Sequence, residues 1–325
     1  MEARSFATVA PVLFLSTAMS AHDAAAQNYP TRPIKIVVAT SAGGATDFSG
    51  RIVAQKLTEQ LGQQVIVENR AGAATIIGTE AVAKAAPDGY TLLAGQATIT
   101  INPSMYVKLP YDMQRDFAPV TQTLSATNVL ALHPSVPART VREFIALAKA
   151  KPGSLTFGSA GLGTAPHLAG ELFKSMAKID MVHVPFKGSS PSTISLLAGE
   201  ISVNFPSVQV SAPYIKTGRL RALAVTTTMR SQTLPELPTI AEAGLPGYEA
   251  TQWFGILAPA GTPRTIIDKL YQEIARGLRS PDLKERMVAE GMEIIASTPD
   301  EFSAYIKSET DKWSRVIKAA GIKPQ

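Results

Sequence analysis

The run Ile34-Lys35-Ile36-Val37-Val38-Ala39-Thr40-Ser41-Ala42-Gly43-Gly44-Ala45-Thr46-Asp47 decides the fold. Ile34 to Thr40 is mostly β-branched with one charge, the pattern of a strand buried on both faces. Two glycines then break it, and Ile52, Val53, Leu57 and Leu61 recur at helical spacing up to the stop at Gly62. Strand, glycine loop and helix in that order read as one βα unit of a largely parallel sheet. The same order returns at 155–177, where strand Leu155 to Gly158 meets Ser159-Ala160-Gly161-Leu162-Gly163-Thr164 and then a helix from Ala165 to Ala177.

Working outward, the first unit is followed by strand Val65 to Glu68, a loop at Gly72, a helix from Ile77 to Ala85, a Pro87-Asp88-Gly89 turn and strand Tyr90 to Ala94. Past the 155–177 unit come strand Met181 to Val184, helix Pro191 to Ala198, strand Ile201 to Phe205 and strand Leu220 to Thr226. Two segments are too long and extended for an ordinary element: Phe117 to Leu132, beyond an Asn102-Pro103 loop, and Tyr248 to Ala258. Each reads as a crossing between domains. Three helices close the chain, near Thr265 to Leu278, Pro281 to Glu290 and Pro299 to Ala319. The expectation is a bilobal α/β protein of two three-layer domains joined by two extended crossover strands. A ligand would sit in the cleft and closure would be a hinge motion. The expected boundaries are 27–124 plus 252–325 for the first domain and 125–251 for the second.

The composition narrows the chemistry. With 325 residues and no cysteine, the chain is long enough to bury a sizeable core without disulfides, and thiol nucleophiles and thiolate metal sites are excluded. The 31 Lys and Arg against 26 Asp and Glu give a formal charge of +5, but the basic residues are scattered among acids, with no basic tract or aromatic-basic module for nucleic acid. Arg4, the mostly apolar stretch Phe6 to Met19 and Ala24-Ala25-Ala26 read as a secretory signal over residues 1–26, cleaved near Ala26, although Glu2 offsets Arg4 and Pro11 interrupts the run; the other readings are a buried N-terminal helix and an uncleaved anchor. The expectation is export. No later segment has the roughly 18 consecutive apolar residues of a membrane helix.

In open α/β sheets ligands sit beyond the carboxyl ends of the strands, at helix N-termini, so the two glycine loops are the candidate site. Ser41 to Asp47 can present backbone amides and a helix dipole to an anion, or it is a tight turn with Thr46 or Asp47 as a cap. The second loop lacks both the P-loop ending and the G-x-G-x-x-G spacing, and no G-x-S-x-G nucleophile elbow occurs in the chain. His133, His167 and His183 lack metal-ligand spacing, and His167 reads as a cleft residue or as a capping or packing one. No cofactor and no metal is expected, and no acid-base pair declares itself.

Several motifs, in order from about Tyr29 onward, carry a resemblance: YPTRPIKIVV, GGATD, VENRAGAATIIGTEAVAKAAPDGYTLL, INPSMYVKLPYD, FGSAGLGTAPHLAGELF, VPFKGSSPSTISLLAGEI and LPTIAEAGLPGYEATQWFGILAPAGTP. The chain resembles the Bug family of extracytoplasmic solute receptors, the substrate-binding proteins of tripartite tricarboxylate transporters. The resemblance implies a type II periplasmic-binding-protein fold and a small carboxylate held largely by backbone amides. Carried over, it points to Ala42, Gly43, Gly44, Thr46, Asp47 and Thr98 in the first lobe. In the second it points to Ser159, Ala160, Gly161, Gly163, Thr164, His167 and Lys187, the last either attracting anions or lying on the surface. Ser207 joins them as part of Phe205-Pro206-Ser207, which stands where many members have Phe-Asp-Asn. Without that acid the cleft is expected to prefer plain carboxylates to zwitterionic amino acids. Ala39-Thr40-Ser41 also departs, standing where a proline and an aromatic are usual.

The expected function is therefore a monomeric periplasmic binding protein that delivers a carboxylate to the permease subunits of such a transporter or to a sensor kinase. The other reading is an exported α/β hydrolase acting on an acidic metabolite, which would need a nucleophile with a base in reach.

Overall fold

The structure, a computed structural model, describes residues 29–324, so the expected signal segment lies outside the described residues. The expected strand at Ile34 is β1 (Ile34–Val38), and every residue of it but Lys35 is buried. The glycine loop leads into α1 (Ala45–Leu61), which ends where Gly62, in the left-handed region at φ 64°, turns its N–H onto the Thr58 carbonyl. Then follow β2 (Val65–Asn69), α2 (Ile76–Ala83), β3 (Thr91–Gln96) and α3 (Thr98–Met105). The helix α3 replaces the loop expected around Asn102-Pro103. Ile99 packs in one apolar cluster and Ile101 and Met105 in another, and this burial outweighs the poor helix propensity of Pro103.

The extended segment 117–132 is two strands, β4 (Phe117–Ala126) and β5 (Val129–Leu132). After it come α4 (Val141–Ala150), β6 (Thr156–Ser159), α5 (Ala165–Ala177), β7 (Val182–Pro185), α6 (Ser189–Leu197), β8 (Val203–Asn204), α7 (Val208–Lys216) and β9 (Arg221–Val225). The chain closes with β10 (Gln252–Pro259), α8 (Arg264–Leu278), α9 (Pro281–Ala289), β11 (Met292–Ile294) and α10 (Pro299–Ala319). The sequence pattern does not announce α7 or β11.

Two sheets result, in the orders β11-β4-β10-β3-β1-β2 and β7-β6-β8-β5-β9. In the first, β1 runs parallel to β2 and β3, and β10 is antiparallel to both its neighbours. In the second, β6 runs parallel to β7 and β8, and β5 is antiparallel to both its neighbours. Leaving β11 aside, the sheets superpose in order, β2-β1-β3-β10-β4 on β7-β6-β8-β5-β9. The odd antiparallel strand of each follows directly from a crossing of the chain between sheets. This is the bilobal type II periplasmic-binding-protein fold.

The lobes also share packed seams. Phe302 and Ile306 of α10 belong to a first-lobe cluster with Trp253 and Leu257, whereas its Trp313, Val316 and Ile317 belong to the second-lobe core with Phe173 and Tyr248. One helix thus straddles both lobes, and the two halves of α3 do the same on a smaller scale.

Candidate functional site

Each glycine loop is built by the same local device. Gly43, at φ 83°, donates its N–H to Asp47 Oδ2 at 2.9 Å, four residues ahead in the first turn of α1. Gly163, at φ 72°, donates its N–H to His167 Nδ1 at 3.1 Å, four residues ahead in the first turn of α5. The residues between correspond too: Gly44 and Thr164 are the N-caps, both extended (φ −87° and −75°), and neither makes a side-chain cap hydrogen bond. The first intrahelical bonds are Phe48 N–H to Gly44 O and Leu168 N–H to Thr164 O. The preceding first-turn amides of each helix are left without an intrahelical acceptor, an arrangement that suits an anion.

The latches are turned inward, away from any ligand. Asp47 is 3% exposed; its Oδ2 also accepts from Arg51 Nε at 2.9 Å and its Oδ1 from Asn69 Nδ2 at 2.9 Å. Burial pushes the Asp47 carboxyl up, but the hydrogen bonds from Arg51, Gly43 and Asn69 outweigh it and hold the group below the usual carboxylate range. His167 is 2% exposed and stacks on His183 with ring centroids 4.1 Å apart. Burial, helped by the neighbouring His183 and Lys174, pulls the His167 imidazole down to about 3. The ring is therefore neutral, and because Nδ1 accepts from Gly163, Nε2 carries the proton. Burial and Lys174 likewise bring His183 down to about 4.

A cleft of about 210 Å³ opens between the lobes. The first turns of four helices contribute to it: Ala45 from α1, Ala165 and Pro166 from α5, Ser189, Ser192 and Thr193 from α6, and Gln209 and Val210 from α7. Asn204 anchors the floor, donating from Nδ2 to Ser192 Oγ at 2.8 Å and accepting the Phe205 N–H at 2.7 Å. The Thr193 hydroxyl, buried in this wall, has no hydrogen-bond partner among the described residues. From the hinge side come Ala126, Asn128, Gln252 and Phe254, from the segment between α9 and β11 come Glu290 and Gly291, and from β11 comes Met292.

Of the residues expected from the sequence, Ala160 and Ser207 line this cleft. Ala42, Gly43 and Gly44 form the exposed loop that leads to Ala45. Thr46 and Thr98 lie one step behind the surface. Thr46 Oγ1 donates to Gln96 Oε1 at 2.6 Å, Gln96 Nε2 donates to Thr98 Oγ1 at 3.2 Å, and the cleft residue Gln252 donates to the same Gln96 Oε1 at 3.4 Å. Ser159 is fully buried behind the second loop, where it accepts the Gly161 N–H at 3.1 Å and contacts His183 Nε2 at 2.7 Å. Gly161, Gly163 and Thr164 are half-buried in that loop, and Thr164 Oγ1 donates to Gly161 O at 2.7 Å. Lys187 is exposed between β7 and α6 and does not line the cleft.

Gln96, Asn128, Asn204, Gln252 and Glu290 escape sequence reasoning because they stand at strand ends that only the topology brings together. The serines and threonine of Ser189-Ser190-Pro191-Ser192-Thr193 do carry a signal, hydroxyls at helical spacing around a proline that opens a helix. Glu290 corrects one expectation. The cleft does contain an acid, supplied from the segment before β11 and not from position 206, so the stated ground for excluding an ammonium group is removed.

No group of three or more His, Asp or Glu side chains among the described residues is placed to hold a metal. Among the described residues, no Arg, Lys or His lines the cleft.

A two-lobed α/β molecule with helix N-termini aimed into the cleft between its lobes is a solute-binding protein. The chain belongs to the family described as tripartite tricarboxylate transporter family receptor, whose profile matches residues 50–322. It is 40% identical over 290 residues to the UPF0065 protein in the tcbD-tcbE intergenic region of Pseudomonas sp. (strain P51), covering 89% of this chain and 86% of that one. It is 36% identical to protein BugT of Bordetella pertussis over 313 residues, 96% of each chain. Among solved structures, R. palustris Rpa4515 with adipate is similar at a TM-score of 0.76 and 36% identity, covering 92% of this chain and all of that one. The Bug resemblance read from the motifs is thereby shown.

Proposed function

We propose that this receptor captures a small carboxylate in the interlobe cleft and hands it to the membrane subunits of a tripartite transporter or to a sensor, without chemical turnover. One observation carries the reading: two helix N-termini from opposite lobes, neither with a side-chain cap hydrogen bond, meet at a cleft lined by no cationic side chain. Backbone amides of the 42–45 and 160–165 loops would hold the carboxylate, with the Thr193 hydroxyl and the Gln96–Gln252 pair as neutral donors beside it. The hydrolase reading is disfavoured because, among the described residues, neither of the two serines with a histidine in reach lines the cleft: Ser159 lies fully buried behind the loop, and Ser135, 2.7 Å from His133 Nδ1, is outside the lining. The related R. palustris protein solved with adipate supports a carboxylate ligand. Export with cleavage near Ala26, action as a monomer, and domain boundaries at 27–124 plus 252–325 and 125–251 belong to the same proposal.

The test is calorimetry on the parent and on Gly43→Val and Gly161→Val. Both glycines have positive φ, at 83° and 128°, so a β-branched residue there must reshape the loop and move its amides. Each variant should lose at least tenfold in affinity for the acid that binds the parent, about 1.4 kcal/mol, while circular dichroism shows the fold retained. Folded variants that bind like the parent would reduce both loops to turns.

A further inference from the structure

The first-lobe wall of the cleft follows the sheet order. It runs from Ala45, just past β1, through Gln252 and Phe254 on β10 and Ala126 on β4, to Glu290 and Met292 at β11. Met292 and Gln252 both pair with Ala126, which fixes that end of the wall in register. From β1 to β11 is four strand spacings, or roughly 19 Å at about 4.8 Å each, so the cleft is a trough with different chemistry along its length. At the β1 end it offers uncapped helix amides. Its middle and far end mix apolar groups, the nearly buried Phe254, Ala126 and Met292 and, from the opposite lobe, Pro206 and Val210, with the polar Asn128, Gln252, Ser207 and Gln209. Among the described residues, the one ionisable side chain in the lining is Glu290, at the β11 end. Gln209 of α7 reaches across from the other lobe and donates its Nε2 hydrogen to Glu290 Oε2, which holds the carboxylate in place and leaves its other oxygen to accept from a ligand.

Resting on the carboxylate reading above, we infer that the ligand is an elongated acid with a single negative charge: its carboxylate lies at the helix amides, its body along β10 and β4, and a hydrogen-bond-donating end that carries no negative charge reaches Glu290. A second carboxylate at that end would meet a like charge with no Arg or Lys among the described lining residues to offset it. Glu290 is on this account the residue that sets specificity between singly and doubly charged acids.

Isothermal titration of the full chain with 8-hydroxyoctanoate, suberate and succinate tests this, on the parent and on Glu290→Gln. In the parent 8-hydroxyoctanoate should bind at least tenfold tighter than suberate, and Glu290→Gln should narrow that difference to within threefold by improving suberate. Suberate binding as tightly as 8-hydroxyoctanoate in the parent would overturn the inference, and so would a suberate penalty that Glu290→Gln leaves in place. Binding of succinate alone would also overturn it while leaving the carboxylate reading intact. If none of the three acids binds, the carboxylate reading falls and this inference falls with it.

Discussion

Asp47 and His167 occupy matching places in the two lobes, and each takes the N–H of the loop glycine four residues earlier. The sequence shows both residues in the right loops, and it leaves open whether they face a ligand or cap a turn. The structure turns both inward, where each is hydrogen-bonded to its own loop backbone. The difference in their chemistry has a pH consequence. His167 is held near 3 when folded against about 6.5 when unfolded, so between these values the unfolded chain binds the extra proton. The stability it supports is complete above about pH 6.5 and is lost as pH falls toward 3. His167→Asn keeps an acceptor for Gly163 and removes the titration. Urea unfolding from pH 6 to pH 4 should therefore show the parent losing stability relative to the variant by about 1 kcal/mol per pH unit. Parallel pH profiles for the two proteins would show that protonation of His167 does not act on the loop.

The segment that leads into α2 is unusual among the elements, because Ala73, Ala74 and Thr75 all lie in the left-handed region at φ 45°, 50° and 76°. Asn102 of α3 holds the turn by donating to the Ala74 carbonyl at 2.9 Å. A left-handed conformation costs an L-residue about 1–2 kcal/mol, and glycine avoids that cost while giving back roughly 0.4–1 kcal/mol through a freer unfolded chain. Ala74→Gly is therefore expected to raise the urea midpoint by an amount equivalent to about 0.5–1 kcal/mol, since the exposed methyl has little packing to lose. A lower midpoint would mean that the turn is not under strain. At this scale most of the fold is legible in the chain, because β1, α1, β6 and α5 have strong periodicity and glycine punctuation. What escapes is short or propped by distant partners. Helix α3 depends on two apolar clusters, β11 is three residues at a sheet edge, and α7 follows a Pro206-Ser207 pair that reads as loop.

For the molecule as a whole, the two long extended segments announce two crossings, and the matched sheet orders follow from them. The cleft is only partly legible for the same reason: its loops are local and its far wall, Gln252 to Glu290, is assembled from strands that meet only in the finished sheet. Two lobes joined by strands imply closure, and small-angle scattering should report a smaller radius of gyration with saturating acid than without. An unchanged radius would restrict the motion to side chains and loops. The helix α10, which runs from one core into the other, gives that motion an optical signature. The chain has two tryptophans, and both are tied to this helix: Trp253 packs edge-on against Phe302 with centroids 5.4 Å apart, and Trp313 donates its indole N–H to Glu309 at 2.9 Å. Neither indole lines the cleft, so a change in their emission on ligand binding would report movement of the lobes and not quenching by contact, and unchanged emission with saturating acid would show that their surroundings do not move. The native chain thus carries its own dye-free gauge of lobe position, usable as a fluorescence titration in unlabelled protein and able to separate ligands that shut the cleft from ligands that merely occupy it.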